Sequence, residues 1–159
     1  MIEFREIKNT DYGFLRKMLY ESLFVEEGED PFPEEIINTP EVSKYIDNWD
    51  NLKDFGLIAQ LNNKSIGAIW CRLFDKNNKG YGFIDEKTPE LSITILPEFR
   101  NKGVGTKLMD RFFQQAKVRG HKAISLSVNK KNKAVDLYKR MGFKIVDELE
   151  TAYTMKIGL

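Results

Sequence analysis

The residue types and spacing best suited to chemistry lie in residues 91–120. An apolar run, Leu91-Ser92-Ile93-Thr94-Ile95-Leu96, stops at Pro97. It is followed by Arg100-Asn101-Lys102-Gly103-Val104-Gly105-Thr106 and then by an amphipathic stretch. Strand, tight glycine loop, helix is the order that aims backbone N–H groups and the positive end of a helix dipole at an anion. Gly103 and Gly105 lack a Cβ, so the backbone can take unusual dihedrals and a phosphate can come close. The stretch reads as a cradle for a pyrophosphate.

Spacing excludes two common phosphate loops. A P-loop requires Gly-Lys-Ser/Thr after its last glycine, whereas Gly105 is followed by Thr106 and then Lys107. A dinucleotide fingerprint needs a third glycine three residues on, and position 108 is Leu. What remains is Arg/Gln-x-x-Gly-x-Gly/Ala behind a strand, filled by Arg100, Gly103 and Gly105. A second constellation follows. Ala123-Ile124-Ser125-Leu126-Ser127-Val128 alternates as a half-buried strand does. After Asn132 comes Ala134-Val135-Asp136-Leu137-Tyr138-Lys139-Arg140-Met141-Gly142-Phe143. Gly142 suits the left-handed position after a helix, and Lys139 and Arg140 suit its negative end.

These two stretches, in this order, resemble motifs A and B of the GCN5-related N-acetyltransferase (GNAT) family. The close resemblance covers residues 89–143, about a third of the chain. It implies an α/β fold with a mixed central sheet flanked by helices, and one N-acetyltransferase domain over residues 1–159. It also implies an acetyltransferase that uses acetyl-CoA as acyl donor, without a metal, by direct attack of an amine in a ternary complex. A non-catalytic acyl-CoA-binding or regulatory module is the alternative, which an intact Tyr138 disfavours. The acceptor, a small-molecule or peptide amine, is open.

Thioester acyl transfer needs the amine deprotonated, the developing oxyanion stabilised and the departing thiolate protonated. By resemblance, the backbone of Ile93, Thr94 and Ile95 pairs with the pantetheine arm. Arg100 belongs to the same motif, and Asn101, Lys102, Gly103, Val104, Gly105 and Thr106 wrap the pyrophosphate. Tyr138 aligns with the family's general acid, a hydroxyl that can protonate the CoA sulfur. Asn132 corresponds to a CoA-contacting asparagine. Asn129 competes for that role, and either could simply cap a helix. Glu90 opens the central strand where several relatives carry a base. It is equally a solvated strand-end carboxylate, with Asp85 and Glu86 as alternative bases. Lys130, Lys131 and Lys133 offer charge for a 3′-phosphate or form an exposed basic face. The acidic run Glu26, Glu27, Glu29, Asp30 is either solvated or attractive to a cationic amine.

The frame that must hold these groups fits one ordinary globular domain. The chain has 159 residues, 42% hydrophobic and 31% charged, with a formal net charge of +1. That near-neutrality argues against a broad nucleic-acid or membrane footprint. The lone Cys71 suits a reducing cytoplasm, and the first residues lack the pattern of a signal peptide. With one His and one Cys, a metal cluster is not expected. Oligomeric state is open, a homodimer included.

Residues 2–7 read as a first strand, and Thr10 as the cap of a helix to about Val25. A second helix is expected over residues 40–49. Residues 55–61 and 65–74 form a hairpin turning at Asn62-Asn63, and residues 80–85 a loop or short strand. Val104, Leu108, Met109, Phe112 and Ala116 recur at helical spacing. Residues 144–149 and 151–157 close the chain as two strands. Trp70 and Arg72 are expected on opposite faces of their strand, and His121 exposed in a turn.

Overall fold

A computed structural model describes all residues 1–159. Its strands are β1 (Ile2–Glu6), β2 (Phe55–Leu61), β3 (Lys64–Arg72), β4 (Glu90–Ile95), β5 (Ala123–Asn129), β6 (Lys144–Glu148) and β7 (Ala152–Gly158). Its helices are α1 (Tyr12–Ser22), α2 (Pro40–Ser43), α3 (Val104–Val118) and α4 (Ala134–Met141). The hydrogen-bonded strand order is β1-β2-β3-β4-β5-β7-β6, one seven-stranded sheet. β4 and β5 run parallel, with Glu90 opposite Ser125. The β1–β2, β2–β3, β5–β7 and β6–β7 pairs are antiparallel, so the sheet is mixed and the fold is α/β with flanking helices. The chain divides into two compact units, Met1–Arg72 with Ser92–Phe112, and Leu73–Leu91 with Phe113–Leu159.

In the first unit the β2–β3 hairpin turns at Asn62 and Asn63, both at positive φ (50° and 63°), as a two-residue hairpin requires. Phe55 of β2 stacks on Phe112 of α3, with ring centroids 4.9 Å apart. The apolar stripe expected on α3 is buried: Val104, Leu108, Met109, Phe112 and Ala116 are at most 2% exposed. Burying a side chain the size of Phe112 stabilises by about 1.5–3 kcal/mol.

Three expectations in this unit are corrected. The first helix runs over Tyr12–Ser22, shorter than residues 10–25, and Asp11 rather than Thr10 organises its start. Asp11 Oδ2 accepts the Lys8 N–H at 2.7 Å, and both its oxygens accept from Arg5, at 2.7 and 2.8 Å. The second helix is only Pro40–Ser43, followed by turns to Asn48 at φ 55°. Long-range donors take the carbonyls there: Trp70 Nε1 donates to Tyr45 O at 2.9 Å, and Arg72 to Lys44 O at 2.8 Å and to Asp47 O. Trp70 and Arg72 therefore share a face, as residues two apart on a strand must. Arg72 also pairs with Asp54 at 3.1 Å.

In the second unit Ile124 of β5 and Met155 of β7 are fully buried. Gly142 ends α4 at φ 108°, with Phe143 N–H donating back to Tyr138 O at 2.9 Å. Residues 80–85 form no strand; they belong to a loop over residues 73–89. His121 is half-buried rather than exposed. Burial first, and Arg119 second, hold its pKa below the usual imidazole value.

Candidate active site

The glycine loop lies in the first unit. Pro97–Phe99 is a single 3-10 turn, after which Asn101 and Gly103 both take left-handed backbone, φ 60° and 80°. Two such residues fold the chain back onto the start of α3. Lys107 N–H donates to Gly103 O at 3.2 Å, the bond that opens the helical ladder. The amides of Val104, Gly105 and Thr106 precede it, the group that a helix N-terminus presents to an anion. A Cβ built on Gly103 meets nothing within 4 Å, so this glycine is there for its dihedral and for the open space beside it. Gly105 sits inside α3 without a positive φ, so conformational freedom is not its contribution.

The strand leading into the loop is β4. Leu96 N–H donates to Ile66 O at 2.8 Å, and a Cβ on Gly67 would lie 2.6 Å from Ile95 Cδ1 and 3.0 Å from Thr94 O. Gly67 thus lets β3 lie close under Thr94 and Ile95. Ile93 and Ile95 are half-buried, whereas Thr94 is buried with an Oγ1 that has no hydrogen-bond partner. A buried orphan hydroxyl costs stability unless something bonds it. The open, amide-rich loop fits a pyrophosphate. Arg100 Nε donates to Ile95 O at 2.8 Å, while Lys102 Nζ donates to Glu98 O at 3.2 Å.

The second unit holds the titratable candidates. Glu90 is not a solvated strand-end carboxylate: it is 4% exposed, and its Oε1 accepts the N–H of Gly82 at 3.0 Å. Its register partner Ser125 is fully buried, with an Oγ lacking a hydrogen-bond partner. The other two carboxylates are bonded within the loop. Asp85 Oδ1 accepts N–H bonds from Lys87 and Thr88 at 2.9 and 2.8 Å, which hold its carboxyl below the ordinary range. Glu86 Oε2 accepts from Lys76 N–H at 3.2 Å.

Tyr138 is half-buried on α4, edge-on to Phe143 with centroids 5.8 Å apart. Burial pushes its phenol up to about 12, so it keeps its proton near neutrality. Asn132 Oδ1 accepts Ala134 N–H and Asn129 Oδ1 accepts Lys131 N–H, each at 2.9 Å, so both asparagines brace the turn before α4. Lys130 is paired with Glu148 at 3.2 Å and lies over the Tyr153 ring, while Lys131 and Lys133 are exposed. No group of three or more His, Cys, Asp or Glu is placed to hold a metal ion, and no helix is long and apolar enough to cross a membrane.

The sequence pattern of the acetyltransferase (GNAT) family matches residues 16–143. The chain belongs to this family. Its GNAT relatives include an uncharacterised N-acetyltransferase of Methanocaldococcus jannaschii, 31% identical over 94 residues, which are 58% of this chain and 40% of that protein. A [ribosomal protein bS18]-alanine N-acetyltransferase of Haemophilus influenzae is 33% identical over 97 residues, 61% of this chain and 60% of that protein. The match thus spans about half the length of these curated relatives. Among solved structures, the PaiA N-acetyltransferase of Thermoplasma acidophilum, in complex with coenzyme A, superposes with a TM-score of 0.69 at 22% identity. The superposition covers 100% of this chain and 99% of that one, a likeness of fold.

Proposed function

We propose that the protein is an N-acetyltransferase that moves the acetyl group of acetyl-CoA to an amine in a ternary complex, and that residues 1–159 form its single domain. The observation that carries the reading is the loop in which Asn101 and Gly103 adopt left-handed backbone before the first-turn amides of α3. On this reading those amides and Arg100, Asn101, Lys102 and Gly103 hold the pyrophosphate. The β4 backbone at Ile93, Thr94 and Ile95 bonds the pantetheine arm, and Asn132 contributes its amide. Family membership and the coenzyme A bound by PaiA support acetyl-CoA as the donor.

The chain's own residues then divide the proton work. Glu90, a buried carboxylate at the start of β4, takes the proton of the amine. Tyr138, whose phenol carries its proton at neutral pH, donates its hydroxyl proton toward the departing sulfur. The acceptor is a small-molecule or peptide amine; the alanine named for the Haemophilus influenzae relative is one example of that class. The chain's single cysteine, Cys71, is buried in a reduced state that agrees with a cytoplasmic location.

The test is a thermal-shift titration followed by a screen of amine acceptors with detection of free CoA. Acetyl-CoA is expected to raise the melting temperature by mass action, while ATP and NAD do not. A flat response to saturating acetyl-CoA would overturn the cradle. A clear shift with no CoA released for any amine class would favour a binding module instead.

A further inference from the structure

Residues 73–89 lack regular strand or helix, and nothing in their sequence pattern connects them with Glu90. Their placement in the fold does. We propose that Gly80 and Gly82 are positioning residues, which close the 73–89 loop over the start of β4 and fix the Glu90 carboxylate as the acceptor of the amine proton. The inference rests on the reading of Glu90 as the base.

Three observations carry it. The Gly82 N–H donates to Glu90 Oε1 at 3.0 Å, in a setting where the carboxylate is 4% exposed. A Cβ on Gly80 would collide with that same Oε1, and would sit 2.9 Å from Cδ and 2.8 Å from Phe74 Cε2. A Cβ on Gly82 would sit 2.6 Å from Leu126 C and 2.8 Å from Ser127 N, so the loop lies flush on the β5 backbone. Neither glycine has a positive φ, so it is room, not dihedral freedom, that demands glycine at both positions.

The loop is also braced from within. Phe83 N–H donates to Gly80 O at 3.2 Å, Asp75 and Asn78 form an isolated bridge, and Asp85 and Glu86 accept the N–H bonds described above. Lys79 lies over the Phe83 ring. An N–H fixed by such a loop holds the Glu90 carboxyl group in one rotamer. The charged and titratable groups of the loop that packs against Glu90 are Asp75, Lys76, Lys79, Tyr81, Asp85, Glu86 and Lys87. On β7, Lys156 is the register partner of Ser125 and acts electrostatically on Asp85.

The test compares Gly80→Ala, Glu90→Asp, Glu90→Gln and the double variant Gly80→Ala/Glu90→Asp. It uses the full chain, acetyl-CoA and an accepted amine, reading kcat, KM and the pH–rate profile. Gly80→Ala is expected to lower kcat by roughly 10²-fold, the scale of a small misplacement of a reacting group. It should move the acid limb of the profile and leave the KM for acetyl-CoA near wild type. In the Glu90→Asp background the shorter carboxylate removes the contacts with Glu90 and leaves only Phe74 Cε2 at 2.8 Å, so the same alanine should cost less there. Wild-type kcat and pH profile in Gly80→Ala, with Glu90→Gln impaired, would overturn the positioning role alone. An unchanged profile in Glu90→Gln would overturn the base reading and the positioning role with it. Should Gly80→Ala fail to fold, the double variant with Phe74→Leu added, which frees the second contact as well, must fold and turn over as Glu90→Asp/Phe74→Leu does. If it does neither, the steric coupling to Glu90 is wrong.

Discussion

Arg100 Nε donates to the carbonyl of Ile95 at 2.8 Å, tying the exit of the glycine loop's 3-10 turn back to the last residue of β4. The arginine of the motif therefore shapes the loop from its own strand, whatever else its guanidinium meets. A hydrogen bond from a charged donor contributes about 1.5–3 kcal/mol, less where exposed as here. Arg100→Met is expected to change the melting temperature of the free protein little and to shrink the shift caused by acetyl-CoA. An undiminished shift would show that the loop holds its shape without this bond.

The two glycines of the loop should separate in their effects. Gly103 stands at φ 80° with open space around it, so Gly103→Val forces a β-branched residue into left-handed backbone. It is expected to lower the stability of the free protein by about 1–2 kcal/mol and to abolish the acetyl-CoA shift. Gly105 lies in α3, where alanine is the better helix former by about 1 kcal/mol. Gly105→Ala should keep or raise the free protein's melting temperature, whereas Gly105→Val should keep the fold and lose the shift. Unchanged affinity in Gly105→Val would remove that residue from the site.

What is legible in the sequence follows from how local each cause is. The α3 stripe from Val104 to Ala116 and the Asn62-Asn63 turn are set by periodicity and by dihedrals available to single residues, and both are found as expected. The length of α2 is not local. It depends on Trp70 and Arg72, some 25 residues away, taking carbonyls that would have continued the helix. Glu90 reads as a strand-end carboxylate because nothing nearby in sequence buries it; the 73–89 loop does so through two glycines that only spatial closeness explains. The left-handed Asn101 is hidden in the sequence because the glycines beside it already account for a turn. The orphan hydroxyls of Thr94 and Ser125 have no sequence signature at all.

Asp11 gives the fold a pH dependence apart from the site. The Arg5 guanidinium, and next the Lys8 N–H among the favourable contacts, hold its carboxyl below the usual range. A depressed folded-state pKa means stability that is present above the unfolded value and is lost as pH falls through the folded one. Asp11→Asn is expected to cost about 1–3 kcal/mol at pH 7 in denaturant unfolding. That difference should shrink as pH falls below about 4, where the unfolded carboxyl begins to protonate. A difference that stays constant from pH 7 to pH 3 would mean that packing, not charge, is what Asp11 supplies.

Tyr138→Phe separates proton donation from packing. The substitution keeps the ring that meets Phe143 edge-on and removes only the hydroxyl. If the hydroxyl serves the departing sulfur, kcat should fall by roughly 10²–10⁴-fold while the acetyl-CoA thermal shift stays intact. Turnover near wild type would leave Tyr138 as a packing residue. The phenol's pKa of about 12 gives an independent check without any acceptor amine. A raised folded-state pKa stabilises fully below pH 10 and is lost as pH climbs toward 12, because the unfolded phenol releases its proton first. Wild type should therefore lose stability relative to Tyr138→Phe between pH 10 and 12, by up to about 2–3 kcal/mol. The ultraviolet tyrosinate titration should lose one late step in the variant. Parallel stability curves in that range would mean that the hydroxyl is solvated in the folded protein.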